Sequence, residues 1–118
     1  MVRRNGEKAV ARKRWLPSNA ALDALIEEAT IDAYGESEQA TSFYTMLDEH
    51  VAVPFDISLL GSTVTVERIE MTENDRIVAI CRRGRLRQTI SLLDLPIPTP
   101  PPSGAEWIEA YRRWARWQ

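Results

Sequence analysis

Apolar side chains recur every three or four residues in two successive stretches of the first half of the chain. The first stretch follows Ser18, whose hydroxyl suits the N-cap of a helix. Its apolar positions are Leu22, Leu25, Ile26, Ala29 and Ala33. The second runs from about Ser37 to about His50, with its apolar positions at Ala40, Phe43, Tyr44, Leu47 and Val51. Gly35 between them favours the left-handed conformation that ends a helix, so the pattern predicts a helical hairpin over residues 18–50.

Beyond Pro54 the apolar period changes to two, which is typical of β-strands. Residues 64–71 alternate in this way, residues 77–81 form a dense apolar run typical of a central strand, and residues 85–90 alternate again. Short strands joined by tight turns over residues 51–95 predict an antiparallel sheet of three to five strands or a small barrel.

A proline-rich segment separates these strands from the end of the chain. Residues 96–102 include five of the seven prolines and predict a stiff linker. Ser103 and Glu106 have the spacing of a capping box, which predicts a helix over residues 103–117. Its face carries Trp107, Ala110, Tyr111, Trp114 and Trp117. We expect these aromatic side chains to dock the helix on the core, and a partner-binding helix is the alternative.

Together these elements predict an α+β domain over residues 18–118, preceded by a basic arm at residues 1–17. The chain has 118 residues, 44% of them hydrophobic, which is ordinary for one globular domain. Its single cysteine excludes an intrachain disulfide, and no apolar run is long enough to cross a bilayer. We therefore expect a cytoplasmic protein that does not enter the membrane.

The net charge of −2 conceals a strong segregation of charge along the chain. Residues 15–67 contain ten acidic residues and no lysine or arginine, whereas the rest of the chain holds all fifteen basic residues and seven acidic ones. The acidic helices therefore lack the opposite charges, one turn apart, that usually offset such a concentration. This excess of carboxylates predicts either bound cations or compensation by the basic strands.

The acidic residues of the predicted hairpin form two groups. One group is expected near the hairpin tip, and the other near the end of the second helix. The candidate metal ligands are Glu28, Asp32, Glu36 and Glu38 in the first group, and Asp48, Glu49 and Asp56 in the second. Carboxylate oxygens without cysteine or histidine suit Ca²⁺ better than zinc or copper. The chain has no EF-hand loop.

Two motifs resemble the cyanobacterial calcium-binding protein CcbP family. They are the DAYGESEQA stretch at residues 32–40 and the FYTMLDE run at residues 43–49, which continues into VPF at 53–55. The resemblance extends over about residues 20–117. It implies a small soluble calcium buffer or sensor of mixed helix and strand structure, without catalysis. The positions that it would carry over as ligands are Asp32, Glu36, Glu38, Asp48 and Glu49.

The alternative function is a small binding module that has lost the metal site. It would take an acidic partner or nucleic acid through the basic arm and an arginine-rich hairpin, whose candidate contacts are Arg82, Arg83, Arg85 and Arg87. The lack of interleaved aromatic residues disfavours nucleic acid, and these arginines could instead neutralise the acidic helices. We expect no enzymatic activity. The sequence has no nucleophile motif that could pair with His50, and Cys81 is expected to be a buried apolar residue.

Overall fold

The computed structural model describes residues 15–118, so residues 1–14 of the predicted basic arm (1–17) lie outside the described residues. Three helices and four strands follow one another along the chain. They are α1 (Asn19–Thr30), α2 (Glu36–His50), β1 (Phe55–Leu59), β2 (Ser62–Met71), β3 (Ile77–Arg83), β4 (Leu86–Ser91) and α3 (Ala105–Arg116). The predicted α+β class is confirmed, with the helical hairpin first, the antiparallel sheet next and the carboxyl-terminal helix last.

The start of the hairpin follows the prediction, but its turn does not. Ser18 is the N-cap of α1, and its hydroxyl accepts a hydrogen bond from the Ala21 N–H at 3.1 Å. The prediction that Gly35 ends the first helix is wrong, because α1 ends at Thr30 and Gly35 is the N-cap of α2. With φ at +91°, Gly35 turns the chain into the second helix in a conformation that other residues adopt at a cost.

The four strands form one antiparallel sheet in the order β1-β2-β3-β4, so β1 and β4 are its edges. The sheet is an open meander rather than the small barrel that the sequence also allowed. A register shift in β2, between Val66 and Arg68, keeps Val66 and Ile69 on the same face although they are three residues apart. This bulge explains why the apolar alternation of residues 64–71 breaks in the middle.

One face of the sheet, here called the inner face, packs against the helices. Val66 of β2, Ile69 beyond the bulge, and Ala79 and Cys81 of β3 belong to one buried core that includes residues of all three helices. At its centre Phe43 of α2 contacts two aromatic rings of α3, with ring centroids 5.8 Å from Tyr111 and 5.2 Å from Trp114. The docking of the carboxyl-terminal helix by its aromatic residues is therefore confirmed.

Trp117 is the exception among these aromatic residues. It follows the last residue of α3, and 76% of its surface is exposed, whereas Trp107 and Trp114 are buried. The prediction that all three tryptophans share the docked face is therefore wrong at Trp117. Among residues 15–118, no helix combines the length and the apolar character that a membrane crossing requires.

The start of α3 differs from the predicted capping box. Its N-cap is Gly104, in the left-handed conformation, and no side chain caps the helix. The Ser103 carbonyl instead accepts a hydrogen bond from the Ala52 N–H at 2.8 Å, which ties the end of the proline-rich segment to the residues after α2. A Cβ atom on Gly104 would lie 2.0 Å from the carbonyl oxygen of His50. Close approach of two backbones, rather than side-chain capping, therefore fixes the start of this helix.

We predict that Gly104→Ala lowers the free energy of unfolding by about 2–5 kcal/mol, because it adds a backbone clash to the strain of a left-handed alanine. Gly61→Ala is the matched control, since Gly61 also has positive φ, at +79°, but has open space around its Cβ position. The control should cost only about 1–2 kcal/mol. Urea unfolding of both variants measures the difference. Equal losses would contradict the close approach at Gly104.

Candidate functional site

The predicted calcium ligands at the hairpin tip do not converge on a common point. Asp32 lies beyond the end of α1, in the turn, rather than one helical turn after Glu28 as the sequence suggested. Glu38 is engaged in a backbone contact, since its Oε2 atom accepts a hydrogen bond from the Tyr34 N–H at 2.8 Å. That bond satisfies a free donor at the start of α2 and gives Glu38 a structural role.

The remaining candidate ligands are also dispersed. Asp48 and Glu49 are exposed in the last turn of α2, and Asp56 accepts a hydrogen bond from the Thr65 hydroxyl across the outer face of the sheet, at 2.7 Å. Within residues 15–118, no three acidic, histidine or cysteine side chains group in a way that could hold a metal ion. The predicted calcium set is therefore spread over separate parts of the surface.

Glu36 is the candidate ligand with other oxygen-bearing side chains near it. Together with Asn74 and Asp75 of the β2–β3 turn it lines a cavity of about 520 Å³. Arg76 lines the same cavity, and Glu36 is the first residue of α2, where the helix dipole is positive. Two carboxylates and an amide thus line one cavity, in an environment that already contains positive charge.

A second cavity, of about 280 Å³, lies on the inner face where the helices no longer cover the sheet. We call it the open groove. The turns between β1 and β2 and between β3 and β4 meet at this end of the sheet. The groove is lined by Leu59, Leu60, Ser62, Val64, Cys81, Arg83, Leu86 and Gln88. Leu60 is fully exposed and Leu86 is 74% exposed, so apolar side chains stand in solvent on both sides of it. Two exposed leucines that flank one cavity offer a partner apolar contacts on both sides.

Four arginines surround the β3–β4 turn beside the groove. Arg82 and Arg87 lie directly opposite each other on neighbouring strands, which would be repulsive without a counter-charge. Glu67 supplies it, with one carboxylate oxygen 3.3 Å from Arg82 and the other 3.0 Å from Arg87. The hydrogen bond from Arg87, with the charges of the nearby arginines, lowers the pKa of Glu67 below its ordinary value of 4.5.

Arg83 and Arg85 form no ion pair with any residue of the described part of the chain. Among these four arginines, Glu67 pairs with Arg82 and Arg87 only, so the hairpin carries excess positive charge at Arg83 and Arg85. The hypothesis that the hairpin arginines neutralise the acidic helices is wrong for Arg82 and Arg87, since their partner is on β2. An acidic helix is instead paired with α3, through an ion pair in which Nε of Arg113 lies 2.7 Å from Oδ1 of Asp23 in α1.

His50 and Cys81 have structural surroundings. His50 is the last residue of α2, and its ring stacks on Trp107 with a centroid distance of 5.1 Å. Cys81 is fully buried, and burial raises the pKa of its thiol above the ordinary value, which disfavours the reactive thiolate. The prediction that Cys81 behaves as a buried apolar residue is confirmed.

Comparison of the chain with protein-family models, with curated proteins and with solved structures finds no match. The resemblance to the CcbP family therefore stays a prediction, and the geometry of the described residues carries the functional argument.

Sequence reasoning identified the arginines of this surface but missed its apolar part. Leu60 lies beside a turn glycine, and Leu86 belongs to the alternating stretch 85–90 that predicts a strand, so neither position by itself indicates exposed apolar surface. A usable signal was present around β4, where Leu86 and Gln88 alternate with Arg85 and Arg87 in a short strand with few apolar residues. A strand with a face packed against the core would have more apolar residues on that face.

We predict that Glu67→Gln lowers thermal stability at neutral pH, because Arg82 and Arg87 then lose the charge between them. The lowered pKa of Glu67 sets the direction of the pH dependence. Its stabilising contribution is complete above the ordinary pKa of 4.5 and disappears as the pH falls through the lowered folded-state value. Melting temperatures of wild type and variant should therefore converge in acid. A constant difference down to pH 2 would contradict the bridging role.

Proposed function

We propose that this protein is a non-catalytic binding module that takes an acidic protein segment at the open groove and the adjacent arginines. The observation that carries the proposal is the combination of exposed Leu60 and Leu86 with Arg83 and Arg85, which lack ion pairs among the described residues. Apolar side chains provide burial on binding, and the unpaired guanidinium groups select for negative charge.

The distribution of charge supports a short acidic segment over a long polyanion. The acidic residues of α1 and α2 belong to the same compact unit as the basic hairpin and would repel a nucleic acid that extended past it. The residues that line the groove include no aromatic ring on which a base could stack. A protein segment with apolar and acidic residues satisfies both halves of the surface.

We predict that twelve-residue peptides with equal numbers of aspartate or glutamate and leucine or valine bind the protein, as measured by fluorescence anisotropy. Arg83→Glu combined with Arg85→Glu should weaken binding at least tenfold, about 1.4 kcal/mol, because attraction becomes repulsion. The matched control is Arg76→Glu with Arg116→Glu, which changes the net charge equally but lies away from the groove.

Binding should also weaken as salt rises, since the rim charges are exposed. Equal losses in both double variants would show that only net charge matters and would contradict the proposed site. If the protein bound a nucleic acid of the same charge more tightly than the peptide, the alternative function, nucleic-acid binding, would replace the proposed protein partner.

A second proposal is weak calcium binding, which the shared cavity of Glu36, Asn74 and Asp75 favours. These side chains offer the oxygen ligands that Ca²⁺ prefers. Arg76 and the positive end of α2 oppose a cation there, so we expect a dissociation constant of about a millimolar, the weak end of the range for protein sites.

Calorimetric titration of chelator-treated protein with CaCl₂ tests this second proposal. Glu36→Gln with Asp75→Asn should abolish the heat of binding, whereas Asp32→Asn with Glu38→Gln should leave it unchanged, because the latter pair lies outside the cavity. If the heat of binding disappeared only in the Asp32→Asn, Glu38→Gln variant, the ligand set implied by the CcbP resemblance would be supported instead. No saturable heat in the wild type up to about 10 mM calcium, roughly tenfold above the expected dissociation constant, would remove the calcium function.

A further inference from the structure

We propose that the acidic segment binds by adding a fifth, antiparallel strand to the β4 edge of the sheet, with acidic and apolar side chains in alternation. This inference rests on the proposed function, because it specifies how the partner occupies the same surface. β4 pairs with β3 on one side only. No backbone hydrogen bond joins residues 86–90 to a described residue outside the sheet, so the other side of β4 is open.

The register shows which backbone groups of β4 face outward. The Leu92 N–H donates to the Ile77 carbonyl at 3.0 Å, in line with the β3–β4 register, so Ile77 and Leu92 form a hydrogen-bonded pair. Such pairs recur at every second residue in an antiparallel ladder. The backbone groups of Leu86, Gln88 and Ile90 therefore face β3, and those of Arg87 and Thr89 face the open edge.

The side chains of β4 specify what each face of an added strand meets. Leu86 and Gln88 lie on the inner face and line the open groove, whereas Arg87 lies on the outer face next to Arg82. Residues of an added antiparallel strand that pair with Arg87 and Thr89 would project to the outer face, beside the arginines. Their neighbours would project into the groove, which is apolar at Leu59, Leu60 and Leu86 and contains Arg83 near the β3–β4 turn. The surface thus fits a segment with acidic residues on one side and apolar residues on the other.

The same arginines disfavour a second copy of this chain as the occupant. An antiparallel pair of β4 strands would bring the arginines at positions 85 and 87 of one copy near those of the other, and like charges on neighbouring strands are repulsive. An acidic strand gains from those charges instead, so the edge discriminates between partners by charge.

Two peptides of identical composition test the strand mode. One alternates glutamate and valine over eight residues, and the other has four glutamates followed by four valines. We expect the alternating peptide to bind at least tenfold more tightly, because only it presents both side-chain types to the correct faces. Equal affinity would overturn strand addition while leaving an acidic-partner site intact. Binding of neither peptide would overturn both the inference and the proposed function.

The backbone contribution is tested from both partners. Thr89→Pro removes an outward N–H and should reduce binding at least tenfold, whereas Thr89→Ala keeps that N–H and should bind as the wild type does. N-methylation of the alternating peptide provides the same test without changing the protein. Methyl groups on the glutamate nitrogens should abolish binding, and those on the valine nitrogens should not. Equal effects of the two methylation patterns, or the reverse preference, would overturn the antiparallel strand.

Discussion

The docking of α3 on the rest of the chain is the constraint on which the structure depends. Gly104 brings the start of the helix against the backbone of His50, and the rings of Tyr111 and Trp114 meet Phe43 at the other end of the contact. Half of the twelve residues of α3 are buried, so it joins the hairpin to the sheet through one core. Burying large aromatic side chains is the main source of stability available to a domain of this size.

This docking also determines what stays uncovered. The helices cover the inner face over the central parts of β2 and β3, from Val66 and Cys81 towards the β2–β3 turn. They do not cover Leu60 and Leu86 at the opposite end. Because β4 is an edge strand with exposed side chains at residues 86–89, apolar surface and unpaired backbone occur side by side. The open groove is therefore a consequence of how far the helices reach along the sheet.

The sequence predicted the fold where local chemistry and core packing agree. Ser18 caps α1 as expected, and the dense run at 77–81 is a central strand that pairs with β2 on one side and β4 on the other. It failed at Gly104, which replaces the capping box because another backbone lies against it, and at Gly35, which starts a helix instead of ending one because α1 already stops at Thr30. Spacing alone also grouped Glu28, Asp32, Glu36 and Glu38, because it does not show where a helix stops or which carboxylate, such as that of Glu38, serves the backbone.

We propose that the β3–β4 end of the sheet, rather than the acidic helices, is the binding surface of this protein. An NMR titration of ¹⁵N-labelled protein with the alternating acidic peptide tests it most directly, since every amide reports its own environment. We predict that the largest shifts occur at Leu60 and at residues 83–90, with the amides of Arg87 and Thr89 also becoming protected from hydrogen exchange. Shifts concentrated in α1, in α2 or around Glu36 and Asp75 would contradict the claim.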